Sequence, residues 1–136
     1  MLLLLGLGVA AIWKGPVQRG EMLYLTNCAQ CHGPRGMGQP GVVWNKPLPG
    51  DDLKFPPPPL DHSAHAWHHA DGLLQRMIQF GGQDGRMPAW GDKLTPAQIG
   101  DILTYLHQLW SPDQLQMQQQ QTLADPFSPS GQVYKP

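Results

Sequence analysis

Two cysteines three positions apart with a histidine directly after the second, Cys28-Ala29-Gln30-Cys31-His32, are the residues of this chain whose types and spacing speak most directly to chemistry. The pattern is that of covalent haem c attachment: each thiol adds across one porphyrin vinyl group, and the adjoining imidazole lies under the iron as proximal ligand. Other uses of such a pair fit less well. A thioredoxin-like redox motif needs a strand-turn-helix context, and no strand run precedes Cys28. A zinc knuckle needs a second ligand pair, yet these are the only two cysteines and no histidine pair follows them at finger spacing. A disulfide closing so short a loop would constrain little of the unfolded chain.

A sixth ligand must come from elsewhere. Met87 stands in Gly85-Arg86-Met87-Pro88-Ala89-Trp90, between two predicted helices and before a proline that stiffens the loop. Its thioether favours ferrous iron and so raises the potential. Met77 and Met22 read as packing residues, and Met37 and Met117 are less well placed. Histidine competes: His62, His65, His68 and His69 crowd one short stretch, where bis-histidine ligation or a separate copper or zinc site is physically possible. The favoured reading makes them loop residues that meet haem propionates or a partner surface, with Trp67 and His65 donating ring N–H groups to the carboxylates. An iron held from both sides has no open position for a reagent, so only an electron passes readily.

Three predicted helices must position these groups. Over Pro16–Asn27, Val17, Gly20, Leu23 and Tyr24 share one face, and the glycine is explained by close approach of another helix. Asp71 is expected to cap a second helix carrying Leu73, Leu74, Met77 and Ile78 and stopped by Gly81-Gly82. The third opens on Thr95-Pro96-Ala97-Gln98, a capping box with proline at the first helical position, and carries Ile99, Ile102, Leu103, Leu106 and Trp110 up to Ser111-Pro112. Nothing alternates like a strand. The expected fold is all-α, with long irregular loops wrapped around one planar cofactor.

Composition bounds the rest. With 136 residues, 16 glycines and 15 prolines, the chain makes one small domain with appendages, whose core is marginal unless a buried macrocycle completes it. A formal charge of −1 with no basic run argues against a nucleic-acid partner. The apolar run Met1 to Trp13 reaches about 20 Å as a helix against roughly 30 Å of hydrocarbon. It reads as a signal-peptide core, as an anchor with a late start, or as an end packed on a membrane partner; the uncleaved anchor is favoured. The expected organisation is a hydrophobic segment at 1–15, a domain at 16–111 and a Gln/Pro-rich tail at 112–136. Within the tail, Ser111-Pro112-Asp113 can cap a further helix to about Leu123, too thin on its apolar side to fold alone. Two fates are open for this tail: loose, or docked along a neighbouring subunit.

The order of parts resembles the small monohaem class I cytochromes c, of membrane-anchored bacterial type, over about Pro16 to Trp110. The likeness rests on Gly20-x-x-Leu23-Tyr24, Cys28-Ala29-Gln30-Cys31-His32-Gly33, Met87-Pro88 and the terminal helix with Tyr105. It implies that the first and last helices cross almost at right angles, with Gly20 and Tyr24 against Leu103 and Tyr105. It implies one covalent haem c on Cys28 and Cys31, axial ligation by His32 and Met87, and a Pro58 carbonyl accepting from the proximal imidazole. It also implies a periplasmic or outer-side location on an energy-conserving membrane, against the weak cytoplasmic bias of Lys14 and Arg19. The implied function is a single-electron carrier or electron-entry subunit of a respiratory chain, not an enzyme and without a small-molecule substrate. Its partners would be a quinol-oxidising complex and a terminal oxidase. A peroxidase-like haem enzyme with a labile Met87 and a structural subunit of a membrane complex are the alternatives. The glycine-rich run Gly33 to Gly38 is expected to let a partner approach the ring edge. In the proline-stiffened segment 39–59, Trp44 and Leu53 either cover one haem face or belong to a solvent-side excursion.

Overall fold

Two helices that touch at a glycine organise this molecule. The computed structural model describes residues 14–125, so the apolar run Met1 to Trp13 and the end of the tail lie outside the described residues. The elements are α1 (Pro16–Asn27), α2 (Ala29–His32), α3 (Asp71–Phe80), α4 (Pro96–His107) and α5 (Pro112–Ala124), with single 3-10 turns at Pro34–Gly36 and Ala66–His68. Among the described residues there is no strand, only one isolated bridge between Leu48 and Asp51.

α1 and α4 meet backbone to backbone. A Cβ on Gly20 would stand 1.9 Å from the Asp101 carbonyl oxygen and 3.0 Å from Tyr105 Cβ, so no other residue fits at this crossing. Just beyond it, the Tyr24 and Tyr105 rings pack with centroids 5.3 Å apart. Tyr24, Ile99, Ile102 and Leu103 are almost wholly inaccessible and centre the core. Outside the crossing, the Arg19 guanidinium forks onto the Asp101 carboxylate at 2.8 and 2.9 Å, a bidentate pair that sets the helix register. α4 begins at the expected capping box, with Thr95 accepting from the Gln98 N–H and Gln98 accepting from the Thr95 N–H. It ends at His107, before Trp110, which lies in the turn leading to α5.

α3 departs from the sequence reading in two ways. Its N-cap is Ala70, not Asp71, and no side chain caps it. The Asp71 carboxylate is instead buried and turned inward, where Oδ1 accepts from His107 Nε2 at 2.9 Å and from Gln118 Nε2 at 2.6 Å. A carboxylate with two donors already facing it inside the fold is more strongly held there than at an exposed helix start. The apolar stripe also divides. Leu74 and Ile78 pack on the core, whereas Leu73 and Met77 remain about two-fifths exposed, so Met77 is not a core filler of the protein itself.

α5 forms over the predicted residues, opened by a second capping box between Ser111 and Gln114. It docks on its own domain largely through polar contacts: Gln118 is buried against Asp71, and Thr122 Oγ1 accepts the Asp71 N–H at 3.0 Å. A helix with little apolar surface thus completes three helices around one carboxylate.

Candidate haem site

The thiols sit where one helix hands over to the next. Cys28 ends α1 with its N–H on the Tyr24 carbonyl at 2.8 Å, and the following turn closes as the Cys31 and His32 N–H groups return to the Cys28 carbonyl at 3.1 and 3.0 Å. One helical turn therefore puts both sulfurs on one side with the imidazole beside them. Neither cysteine is in a disulfide. Burial, with Cys31 adding to it, pushes the Cys28 thiol up to about 11. That is the reverse of the depressed thiol of a redox dithiol.

His32 is buried, and its Nδ1 lies 2.8 Å from the Pro58 carbonyl oxygen. A carbonyl only accepts, so Nδ1 carries the proton and Nε2 keeps its lone pair for a metal. Burial pulls the imidazole below its ordinary range while the Pro58 bond partly opposes this. The ring is thereby kept in the neutral form that ligates, with the polarised N–H that strengthens it as a donor.

The glycine-rich loop after His32 has an internal duty. Gly33 takes φ +77°, and a Cβ there would meet the Gly38 carbonyl at 2.1 Å, as the chain doubles back so that the Gly38 N–H reaches the His32 carbonyl at 2.7 Å. The buried Tyr24 hydroxyl donates to the Gly33 carbonyl at 2.8 Å. Gly36 and Gly38 are buried beneath Pro59, Leu60 and Asp61. These glycines therefore seat the proline segment that faces His32, and the expected approach of a partner through them is corrected: no backbone at Gly36 or Gly38 is open to one.

Met87 lies half-buried against the core on a loop tied to the end of α3. Gly81, at φ +88°, stops the helix and leaves room for the Met87 carbonyl, which would lie 2.7 Å from a Cβ there. The Gly82 N–H donates to that carbonyl at 3.0 Å. The loop then returns, and the N–H groups of Trp90 and Gly91 satisfy the otherwise orphaned Ile78 and Gln79 carbonyls at 2.9 and 3.0 Å. Both ends of the loop are anchored, so the methionine backbone is fixed by hydrogen bonds.

The remaining predicted residues are placed differently. The Trp67 indole N–H, expected to meet a propionate, donates to the Ala64 carbonyl at 2.9 Å within its own turn. His65 is exposed and stacks on Trp44 with ring centroids 5.2 Å apart, and His69 meets its edge at 5.4 Å. His68 packs on Trp67. Burial, then His65 and His68, pulls His69 below the usual imidazole range. Among the described residues, no three His, Cys, Asp or Glu side chains gather as a metal site. Leu53 is 86% exposed.

The residues present fit a haem: two unpaired thiols one turn apart, a buried neutral imidazole with Nε2 available, and a thioether loop anchored near the same core. Sequence reasoning overlooked Trp110, read only as one of an apolar stripe. Its indole N–H donates to the Leu60 carbonyl at 2.8 Å. The nearby signal was the spacing of Gly33, Gly36 and Gly38, which implies a segment packed tightly on them.

The family model for cytochrome c oxidase, cbb3-type, subunit III matches residues 15–106. The chain belongs to this family. It is 30% identical over 92 residues to the cbb3-type cytochrome c oxidase subunit CcoP of Azospirillum brasilense, covering 68% of this chain and 28% of that protein. It is likewise 30% identical over 94 residues to the subunit FixP of Azorhizobium caulinodans, covering 68% and 27%. The chain thus spans under a third of these relatives' length. The crystal structure of cytochrome cL from Methylophaga aminisulfidivorans shares the fold with a TM-score of 0.52, at 18% identity over 86% of this chain and 70% of that one. The protein is thus an all-α cytochrome c domain, and membership of the family brings a covalent haem c as its cofactor. No helix among the described residues is long and apolar enough to cross a membrane.

Proposed function

We propose that this chain is a one-electron transfer domain of a cbb3-oxidase-like membrane complex, with His32 and Met87 as the axial ligands of its haem. The observation that carries the reading is His32 itself: buried, its Nδ1–H given to Pro58, one residue past a pair of free thiols. The haem, when bound, supplies a one-electron iron couple. Cys28 and Cys31 tether the ring, His32 presents Nε2, and Met87 offers a thioether from a loop closed onto α3. If His32 and Met87 both ligate the haem iron, they would leave no place for a substrate at the metal and would confine the site to electron exchange, which is the reading against an enzyme. Cys31 is exposed and marks the edge at which a redox partner would approach. A terminal oxidase as the electron-accepting partner matches the names of the relatives, which are subunits of cbb3-type cytochrome c oxidases, and a quinol-oxidising complex is the donor we assign. The electron-transfer unit spans 16–111, braced by α5, and residues 1–15 hold it at the outer face of the membrane.

The test is spectroscopic. The denatured chain carries the mass of one haem, and the oxidised protein shows a sulfur-to-iron charge-transfer band in the near infrared that Met87→Ala abolishes. A high-spin resting spectrum with rapid cyanide binding would overturn the His/Met assignment in favour of the peroxidase-like alternative.

A further inference from the structure

We infer that Trp110 is a positioning residue for His32: by holding the Leu60 peptide, its indole sets the Pro58 carbonyl against Nδ1 and so tunes the reduction potential. This rests on His32 being the haem ligand.

The path is short. Trp110, buried at the corner between α4 and α5, donates Nε1–H to the Leu60 carbonyl at 2.8 Å. The Leu60 N–H donates to the Gly36 carbonyl at 2.7 Å, and the Asp61 N–H joins the same oxygen at 3.1 Å. Both polar groups of Leu60 are therefore held. Two residues earlier, the Pro58 carbonyl receives the His32 Nδ1–H at 2.8 Å. Residues 58 and 59 are both proline, so their rings remove the φ freedom through which a displacement of Leu60 would be absorbed. Segment 54–60 belongs to no helix or ladder. Its placement depends on these few bonds and on the glycine seat, where Leu109 Cδ1 would lie 3.2 Å from a Cβ on Gly36 and Pro59 Cγ 3.0 Å from one on Gly38. The α4–α5 corner thus presses from one side and the loop after His32 receives from the other. Gln114 extends the same clamp, donating Nε2–H to the His62 carbonyl at 3.0 Å.

The physical consequence has a sign. A carbonyl held firmly on Nδ1–H draws the imidazole toward imidazolate character and makes Nε2 a stronger donor, which favours ferric iron. Releasing Leu60 weakens that hydrogen bond, makes His32 a poorer donor and raises the potential.

The experiment uses the full chain with its haem attached and the variant Trp110→Phe, which keeps an aromatic ring and removes the N–H. The potential rises, the near-infrared sulfur band persists, and exchange of the His32 Nδ1 proton, followed by NMR, accelerates about tenfold, as loss of roughly one net hydrogen bond implies. Ile102→Val truncates the core on α4 and touches none of the hydrogen bonds that hold Leu60; it lowers the melting temperature and leaves potential and exchange at wild-type values. The wild type supplies a second measurement that needs no variant: the Trp110 indole proton and the His32 Nδ1 proton exchange with equal protection, since one opening frees both. A haem-bearing Trp110→Phe with unchanged potential and exchange overturns the inference, as does an equal shift in Ile102→Val or a protected Nδ1 proton beside a freely exchanging indole. A wild-type chain that carries no haem overturns the ligand reading itself, and is recognised by mass before any variant is made.

Discussion

Replacing Gly20 by alanine adds one methyl group at a place where α1 and α4 touch through their backbones. The new Cβ would lie 1.9 Å from the Asp101 carbonyl oxygen and 2.5 Å from its carbon. Ordinary contact requires the helices to part by roughly 1.5 Å at this point, because backbone cannot rotate away as a side-chain tip can. Parting loosens the Tyr24–Tyr105 contact at 5.3 Å and the packing of Ile102 and Leu103 behind it. Overpacking of this kind costs about 3 kcal/mol, at the upper end of its usual range. Alanine returns about 1 kcal/mol as the better helix former. The net loss is about 2 kcal/mol, or about 10 °C in melting temperature for a domain of this size. The assay is thermal and urea unfolding of the haem-loaded protein, with Gln18→Ala on the exposed face of α1 as a control for propensity alone. A Gly20→Ala protein as stable as wild type would refute the reasoning, because it would mean that the crossing has slack that the backbone positions deny.

Two further outcomes test the rest of the framework. Asp71→Ala strips Gln118 and His107 of their shared acceptor inside the fold, leaving Gln118 Nε2 only the longer contacts to the His69 carbonyl and Thr122 Oγ1 at 3.3 and 3.1 Å, and losing the hydrogen bonds to a buried carboxylate costs about 2 kcal/mol; hydrogen exchange should quicken through residues 112–124 while α1 and α4 amides keep their protection. Burial raises both Tyr24 and Tyr105 above the ordinary phenol range. The native state then holds protons that the unfolded chain gives up near pH 10, so stability is intact below that pH and falls as pH climbs past it. Urea midpoints at pH 8, 10 and 11 measure the decline, which Tyr24→Phe should flatten; a midpoint that does not move between pH 8 and 11 contradicts the burial argument.

The local features of this protein could be read along the chain because their causes are local. α1 forms over the predicted Pro16–Asn27, and the Thr95 capping box opens α4. The Ser111 box opens α5 in the same way, although its docking on Asp71 was not foreseen. Each of these depends on residues within a turn or two, where propensity and capping act. Asp71 misled for the same reason: an acid before an apolar run has the local form of a cap, and only two helices distant in sequence supply His107 and Gln118 as better partners. Met77 was likewise judged by type, whereas exposure is set by what the rest of the chain places above it.

The spacing of Cys28, Cys31 and His32 by itself determined which chemistry the chain can host, since three residues separated by one turn keep their relation in any helical context. Periodicity determined that the fold is helical, and Gly20 announced a close crossing, for which the resemblance supplied the last helix. Tertiary structure added the Asp101 carbonyl to the Tyr105 that the resemblance had implied at that crossing, and fixed the register of the four consecutive prolines, with Pro58, as the resemblance implied, giving its carbonyl to His32. It also decided that Trp110, fifty residues further on, holds the segment in place. The reason is physical: a hydrogen bond between residues far apart is set by how helices pack and loops close, and those long-range contacts leave no period or motif in the chain that makes them.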